Sequence, residues 1–266
     1  MLRPTTVAAG NPRDLAALDA DGDGDLDAAT ANAGSGDVSI WPNTGGAALG
    51  TPSAIALTAG DFGAEAIAAG DLDNDGVRDD LAVACADSHT VALISNAGTA
   101  TPTVTSMSLP GLRPVDVLVC DLDADPRDDV VMALEGTPFG GGEGLAVSLN
   151  GGAFTTVSMA GAVARKAVRL AHGDLDGDGD QDLAVLAQGG TDQLLVFLGA
   201  GNGNLTLAAA WALPSSGLSR GLACGDLDGD GDLDLAVVLP TLFPTVSTSV
   251  RIYIYTPNGS LNPSDY

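Results

Sequence analysis

Aromatic side chains are scarce in this chain: Phe, Trp and Tyr make up 4% of its 266 residues. A core must therefore be layered from small side chains, because Ala, Leu and Val supply most of the 45% hydrophobic fraction. Cysteine is scarce too. Cys85, Cys120 and Cys224 are odd in number and share no spacing, which excludes a disulfide framework and leaves them as small buried hydrophobes. His89 and His172 stand 83 residues apart, so no Cys/His cluster is present for zinc. No run is long and apolar enough for a membrane-spanning helix. The start, MLRPTTVAAG, lacks the apolar stretch of a secretory leader. Ten basic residues face thirty-five acidic ones, a formal net charge of −25. That sign argues against nucleic acid and anionic membranes as partners.

The negative charge is not spread over the chain. One string recurs five times: DADGDGDLD from Asp19, DLDNDGVRD from Asp71, DLDADPRDD from Asp121, DLDGDGDQD from Asp174 and DLDGDGDLD from Asp226. The spacings are 52, 50, 53 and 52 residues. With Asp80 counted beside the second string, these windows hold twenty-five of the thirty-five acidic residues. The ten that remain nearly balance the eight basic residues outside the windows.

A regular comb of this kind is an internal repeat. Around each loop lie short apolar runs bounded by Gly, Pro, Asn and Ser, with no helical period. LAAL, AIAAG, VDVLV, VRLAHG and GLACG precede the loops. LDAATAN, LAVACA, VVMALEG, LAVLAQG and LAVVLP follow them. A third set reads VSIWPN, TVALISN, LAVSLN, LLVFLG and VRIYIY, and a fourth closes most units. Four strands in about 52 residues make one propeller blade. The expected fold is an all-β, five-bladed β-propeller of four-stranded antiparallel blades, a single domain over residues 1–266. Its blades are expected at 11–60, 61–110, 111–161, 162–214 and 215–266. The segment PTTVAAG resembles FTTVSMAG, the fourth strand of another unit, and the fifth unit runs out early. The expectation is that the N-terminal strand, residues 1–10, completes the last blade and closes the ring, removing an exposed edge.

Ca²⁺ takes six to eight hard oxygen ligands in flexible geometry. A nine-residue turn with carboxylates at positions 1, 3 and 5 can curl around one such ion, with Gly at position 6 for the sharp turn and a backbone carbonyl from position 7. The aspartate at position 9 is the candidate substitute for a closing glutamate. Four carboxylates within one turn repel strongly unless a cation sits among them. Mg²⁺ fits less well because it demands tighter octahedral geometry.

The strings resemble the FG-GAP and VCBS repeats of integrin α-type propellers, whose pattern is D-x-D-x-D-G-x-x-D between two strands of a blade. The resemblance covers essentially the whole chain. It implies up to five Ca²⁺, one per blade. The implied side-chain ligands are Asp19, Asp21, Asp23 and Asp27 in the first loop, and Asp71, Asp73, Asp75 and Asp79 in the second. Asp121, Asp123, Asp125 and Asp129 would serve the third. The fourth would use Asp174, Asp176, Asp178 and Asp182, and the fifth Asp226, Asp228, Asp230 and Asp234. Backbone carbonyls would come from Asp25, Val77, Arg127, Asp180 and Asp232. The family's Phe-Gly pair is visible at Phe62–Gly63 and at Phe139–Gly140. Pro126 stands in the third loop where the others have glycine, so that loop is expected to hold its ion least well.

Catalysis finds little support in the residues. Gly217-Leu218-Ser219-Arg220-Gly221 matches G-x-S-x-G but is followed by a strand rather than a helix. The acidic residues are mostly committed to the loops, leaving no acid/base pair. The sequence therefore predicts a protein that is not an enzyme. The resemblance implies a structural or adhesive interaction module of an exported protein, extracellular or at the cell surface, with its leader trimmed. Its partner would be an unknown protein or glycan, and the isolated domain would be a monomer. The face away from the loops would carry Arg13, Arg113, Arg165, Lys166 and Arg220 beside Asp37, Glu65, Asp87, Glu143 and Asp192. A lectin-like sugar binder is the alternative, although Trp41 and Trp211 fall at different repeat positions. A non-catalytic scaffold of a larger extracellular enzyme is another.

An ion bound only by the folded state adds about 2.7 kcal/mol per site at a hundredfold excess over its Kd. EDTA is therefore expected to lower the melting temperature sharply, read by calorimetry. An unchanged melt after verified calcium removal would rule out a stapling role.

Overall fold

In the computed structural model the described residues are 10–45, 49–58, 60–135, 143–159, 162, 166–213, 221–240, 248–256 and 260–265. Among them every regular element is a strand, and the strands form five four-stranded sheets, each antiparallel and in sequence order. The first sheet is β1 (Pro12–Leu18), β2 (Asp27–Asn32), β3 (Asp37–Trp41) and β4 (Ser53–Ala56). The second is β5 (Ala64–Gly70), β6 (Asp80–Cys85), β7 (Thr90–Ser95) and β8 (Thr103–Ser108). The third is β9 (Pro114–Cys120), β10 (Asp129–Glu135), β11 (Glu143–Ser148) and β12 (Thr155–Val157). The fourth is β13 (Lys166–Gly173), β14 (Asp182–Gln188), β15 (Gln193–Leu198) and β16 (Thr206–Ala212). The fifth is β17 (Gly221–Gly225), β18 (Asp234–Pro240), β19 (Thr248–Thr256) and β20 (Ser260–Asp265).

The first strands of the sheets pack in series, β1 on β5, β5 on β9, β9 on β13 and β13 on β17. The second strands explain the stacking. Strand side chains alternate between faces, so an unbroken apolar run feeds two cores. Leu81 and Val83 of β6 face the first sheet, while Ala82 and Ala84 face the third. On β10, Val130 and Met132 pack towards the second sheet, and Val131 and Ala133 towards the fourth. On β14, Leu183 and Val185 join the core shared with the third sheet, and Ala184 and Leu186 the core shared with the fifth. That is why LAVACA and LAVLAQG lack polar alternation, as expected of strands buried on both faces. Their small side chains let neighbouring sheets approach closely.

The expected closure by the N-terminal strand is corrected in one respect. The fourth position of the last sheet is taken by β20, which pairs with β19 from Arg251↔Asp265 to Thr256↔Ser260. Ser260–Asp265, read in sequence as part of a trailing end, supplies this strand. Residues 1–9 lie outside the described residues.

Each of the first four inner strands carries a register break at the same repeat position. Arg13, Glu65, Val115 and Val168 are skipped in the pairing of β1, β5, β9 and β13. Each lies six residues before its aspartate loop. The inner strands are each the edge of their sheet, so alternate N–H groups point away from the ladder, and two of these, just past the bulges, are captured by the preceding sheet. Asp14 Oδ2 accepts the Ile67 N–H at 3.0 Å, and Asp116 Oδ2 accepts the Leu170 N–H at 2.8 Å. Burial pushes the Asp116 carboxyl up to about 6, against the lowering effects of the Leu170 N–H and the Arg169 charge.

The folded protein thus holds the Asp116 proton more tightly than the unfolded chain does. Stability contributed there is full below about pH 4 and is lost as pH rises through about 6. At 1.36 kcal/mol per unit the whole swing is at most about 3 kcal/mol. Asp116→Asn removes the ionisation but keeps an acceptor. With calcium saturating, the melting-temperature difference between wild type and D116N should favour wild type more at pH 4.5 than at pH 7. A difference independent of pH would contradict this.

Candidate metal centres

Each aspartate loop joins the first strand of a sheet to its second, and its backbone is shaped by its own carboxylates. The position-1 aspartate accepts two N–H groups. Asp19 takes those of Gly22 and Gly24 at 2.9 and 3.0 Å. Asp71 takes Asn74 and Gly76, Asp174 takes Gly177 and Gly179, and Asp226 takes Gly229 and Gly231. Positions 4 and 6 adopt positive φ, as in Gly22 (74°) and Gly24 (91°), which favours glycine or asparagine there. Position 3 accepts from position 5, and position 5 from position 7, so the turn winds inward.

The closing aspartate is buried and fastens the loop to the sheet. Asp27, Asp129, Asp182 and Asp234 are each at most 2% exposed. Their Oδ2 atoms accept the N–H of Ala20, Leu122, Leu175 and Leu227 at 2.8–3.0 Å. In the second loop this place belongs to Asp80, which accepts from Leu72, Asp73 and Asn96. Asp79, the residue expected there, sits one position earlier because this loop is one residue longer. Its Oδ1 is buried without a hydrogen-bond partner, and burial first, then the Asp80 and Asp75 charges, pushes it up to about 6. Burial likewise raises Asp80, Asp129 and Asp182, against their backbone hydrogen bonds.

Carboxylate oxygens converge in every loop. Those of Asp19, Asp21 and Asp27, of Asp121, Asp123 and Asp129, and of Asp174, Asp176 and Asp182 come within 4.8 Å of one another. Asp71, Asp73 and Asp75 do so in the second loop, and Asp226, Asp228 and Asp230 in the fifth. Positions 1 and 3 are thus always brought together, joined by position 9 or position 5. Asp23, Asp125 and Asp178 stand in the same turns and accept the N–H of Asp25, Arg127 and Asp180. Asp21, Asp176 and Asp228 are raised by desolvation and by the carboxylates around them. A cation would reverse that repulsion. The donor set is all oxygen, which suits Ca²⁺. The buried, unpartnered Oδ1 atoms of Asp123 and Asp79 are acceptors that such an ion would satisfy.

A fixing asparagine escaped the sequence reading. Asn96 Nδ2 donates to Asp73 Oδ2 at 2.8 Å and Asn150 Nδ2 to Asp123 Oδ2 at 3.0 Å, while Asn43 reaches the Leu26 carbonyl. The signal was the Asn that ends the third run in WPN, ISN and SLN.

The third loop departs twice from this plan. Pro126 has no N–H to give Asp121, and Ala124 holds φ 61° where glycine or asparagine stands elsewhere. It is latched from outside instead. Asp128 Oδ2 accepts the Asp71 N–H at 2.8 Å and meets Arg78 Nη1 at 2.6 Å, and the Asp128 N–H donates to the Asp71 carbonyl. Calcium titration followed by calorimetry should therefore show one weak site. Changing Ala124 and Pro126 together to glycine should raise its affinity by roughly tenfold, about 1.4 kcal/mol. Five equal sites in the wild type would contradict the assignment.

Of the other residues singled out in sequence, Phe62 is exposed, and Gly63 holds φ 70° against Asp87. Phe139–Gly140 and residues 217–220 of the G-x-S-x-G string lie outside the described residues. His89 Nδ1 pairs with the Leu112 carbonyl and His172 Nδ1 with Gln181 Oε1. Cys85 and Cys120 are free and buried, with thiols pushed up to about 12 by burial and then by nearby aspartates.

The fold is shared with known propellers. A putative 6-phosphogluconolactonase from Bacteroides uniformis matches with TM-score 0.61 and 13% identity over 90% of this chain and 68% of its own. A Lactobacillus plantarum protein matches at 0.58 and 19% over 98% and 85%. The Dos1 propeller matches at 0.56 and 12%, over 95% of this chain and 57% of its own. No curated protein matches the chain in sequence. The expectation that the protein is not an enzyme is corrected here. Chains with this architecture bear an enzyme's name, one from Bacteroides fragilis among them at 13% identity, so the missing sequence constellation does not exclude activity. The model of the FG-GAP-like repeat matches residues 19–83 and 174–237, two spans that each begin at a loop's first aspartate. These two stretches are FG-GAP-like repeats, which supports the FG-GAP/VCBS type of repeat for this chain.

Proposed function

We propose that the chain is a calcium-stapled five-bladed propeller that works outside the cell as an adhesive or structural interaction module. The five sheets would be its blades, at 11–60, 61–110, 111–161, 162–214 and 215–266. Each loop would hold one Ca²⁺ through its position-1, 3, 5 and 9 oxygens, with Asp80 as the closing residue of the second loop and Asp79 as a further oxygen beside it. The observation that carries the reading is the recurrence of one carboxylate cage at five equivalent turns. Such ions stay bound where calcium is abundant, which is the argument for an exported location. The role of these residues is to bind and to orient. The position-1 aspartate sets the turn, the closing aspartate ties it to the first strand, and Asn96 and Asn150 hold position 3 in place in the second and third loops. The ion would add charge neutralisation to that frame.

The partner would be a protein, met by the face opposite the loops. The lectin alternative is disfavoured by the tryptophans. Trp41 is buried with its Nε1 on Thr30 Oγ1, and Trp211 pairs across to Leu194 in β15, so neither makes a platform that repeats from blade to blade. Beads coated with the protein are expected to adhere to protein-coated or cell surfaces in calcium and to release in EDTA. Failure to adhere in calcium, or release by free neutral sugars, would overturn the reading in favour of no adhesive role or of a lectin.

A further inference from the structure

Cationic side chains are rare in this chain, yet four of its ten meet at one place. Arg13, Arg113, Lys166 and Arg169 lie at the beginnings of the inner strands or beside them, at the end away from the aspartate loops. The inner strands are about seven residues long, so the two ends stand roughly 20 Å apart. Between these beginnings is a cavity of about 300 Å³, lined by Arg13, Glu65, Arg113, Glu135, Arg169 and Gln188 over a floor of Val115 and Val168. The bulges at Arg13, Glu65, Val115 and Val168 turn these residues out of the sheet pairing, so the wall is built by the repeat itself.

The charges around the cavity are unevenly matched. Glu135 is shared between Arg113 and Lys166. Arg113 also reaches Asp87 at 3.8 Å. Arg13 is about half exposed and stands 3.8 Å from Glu65, too far for a hydrogen bond. Arg169 Nη1 donates to the Val168 carbonyl at 2.6 Å, and among the described residues Arg169 is in no ion pair. The nearby Asp116 spends its oxygens on the N–H groups of Leu170 and Val117. Each guanidinium carries five N–H donors in a planar fork that matches a carboxylate. Two forks with open donors therefore face one cavity, beside the carboxylates of Glu65 and Glu135, which accept from hydroxyl groups.

We propose that this cavity, walled by the bulged strand beginnings, binds a small carboxylate ligand of about monosaccharide size, with Arg169 and Arg13 holding the carboxylate and Glu65 and Glu135 accepting from its hydroxyls. The cavity lies on the face proposed for the protein partner, and binding of a free small acid there is measured separately from adhesion. The cavity volume sits at the lower end of known ligand pockets, which suits a single small acid.

The test is isothermal titration calorimetry on the whole chain in saturating calcium, with glucuronate, succinate and glucose as probes. Glucuronate is expected to bind best, succinate more weakly and glucose not at all. Binding of both acids with equal affinity would keep the carboxylate and overturn the hydroxyl contacts assigned to Glu65 and Glu135. Arg169→Gln should weaken glucuronate by roughly tenfold or more, as loss of a charged hydrogen-bond pair does. Arg13→Gln, at a half-exposed position that tolerates change, should weaken it several-fold with the melting temperature unchanged. Equal binding of glucose, no binding of either acid, or acid binding that survives both substitutions would overturn the proposal. The last outcome would place the acid at the calcium loops.

Discussion

Everything in this architecture depends on aspartates that bind backbone N–H groups within one tight turn. A loop with several carboxylates would be driven open by their mutual repulsion. Here the first carboxylate is anchored by the N–H groups of positions 4 and 6, and the last is buried against the N–H of position 2. Those bonds set the curvature of the turn and the register of the two strands it joins. Leu18 pairs with Asp27 and Gly173 with Asp182 directly at the loop mouths. The same bonds leave oxygens gathered at one point, which is why shape and cation affinity arise from one set of residues.

This coupling distributes stability along the repeat. The cores between sheets are made of Ala, Val and Leu, with Phe197 the one fully buried phenyl ring among the described residues. Small side chains bury modest area each, so the sheets gain from ties that do not depend on side-chain bulk. Two such ties run between sheets, from Asp14 to Ile67 and from Asp116 to Leu170. A third links the second and third loops through Arg78, Asp128 and Asp71. The third loop therefore keeps its shape through its neighbours, where the other four rely on their own glycines.

Most of the fold was legible because the repeat is chemically loud. Alternate aspartates at a spacing near 52 mark the loops, and the apolar runs around them mark three of the four strands in every unit. What remained hidden depends on single-residue offsets. The second loop is one residue longer, so Asp80 takes the buried place that a fixed nine-residue template gives to Asp79. No single residue type marks the bulges at Arg13, Glu65, Val115 and Val168, because a bulge is defined by backbone pairing rather than by a side chain. The last strand, β20, was obscured by its Pro, Asn and Ser content, which reads as a loop. The asparagines at 43, 96 and 150 did carry a pattern, since each ends the third apolar run of its unit. Ala124 gave no sign of its positive φ, which is imposed by the turn on a residue that disfavours it.

The most direct test of the account is a crystal structure grown in ample calcium, with anomalous scattering used to locate the ions. The account predicts a peak among the carboxylates of the first, second, fourth and fifth loops, with Asp80 rather than Asp79 closing the second and the weakest density in the third. Ordered loops that stay free of calcium under those conditions would contradict it.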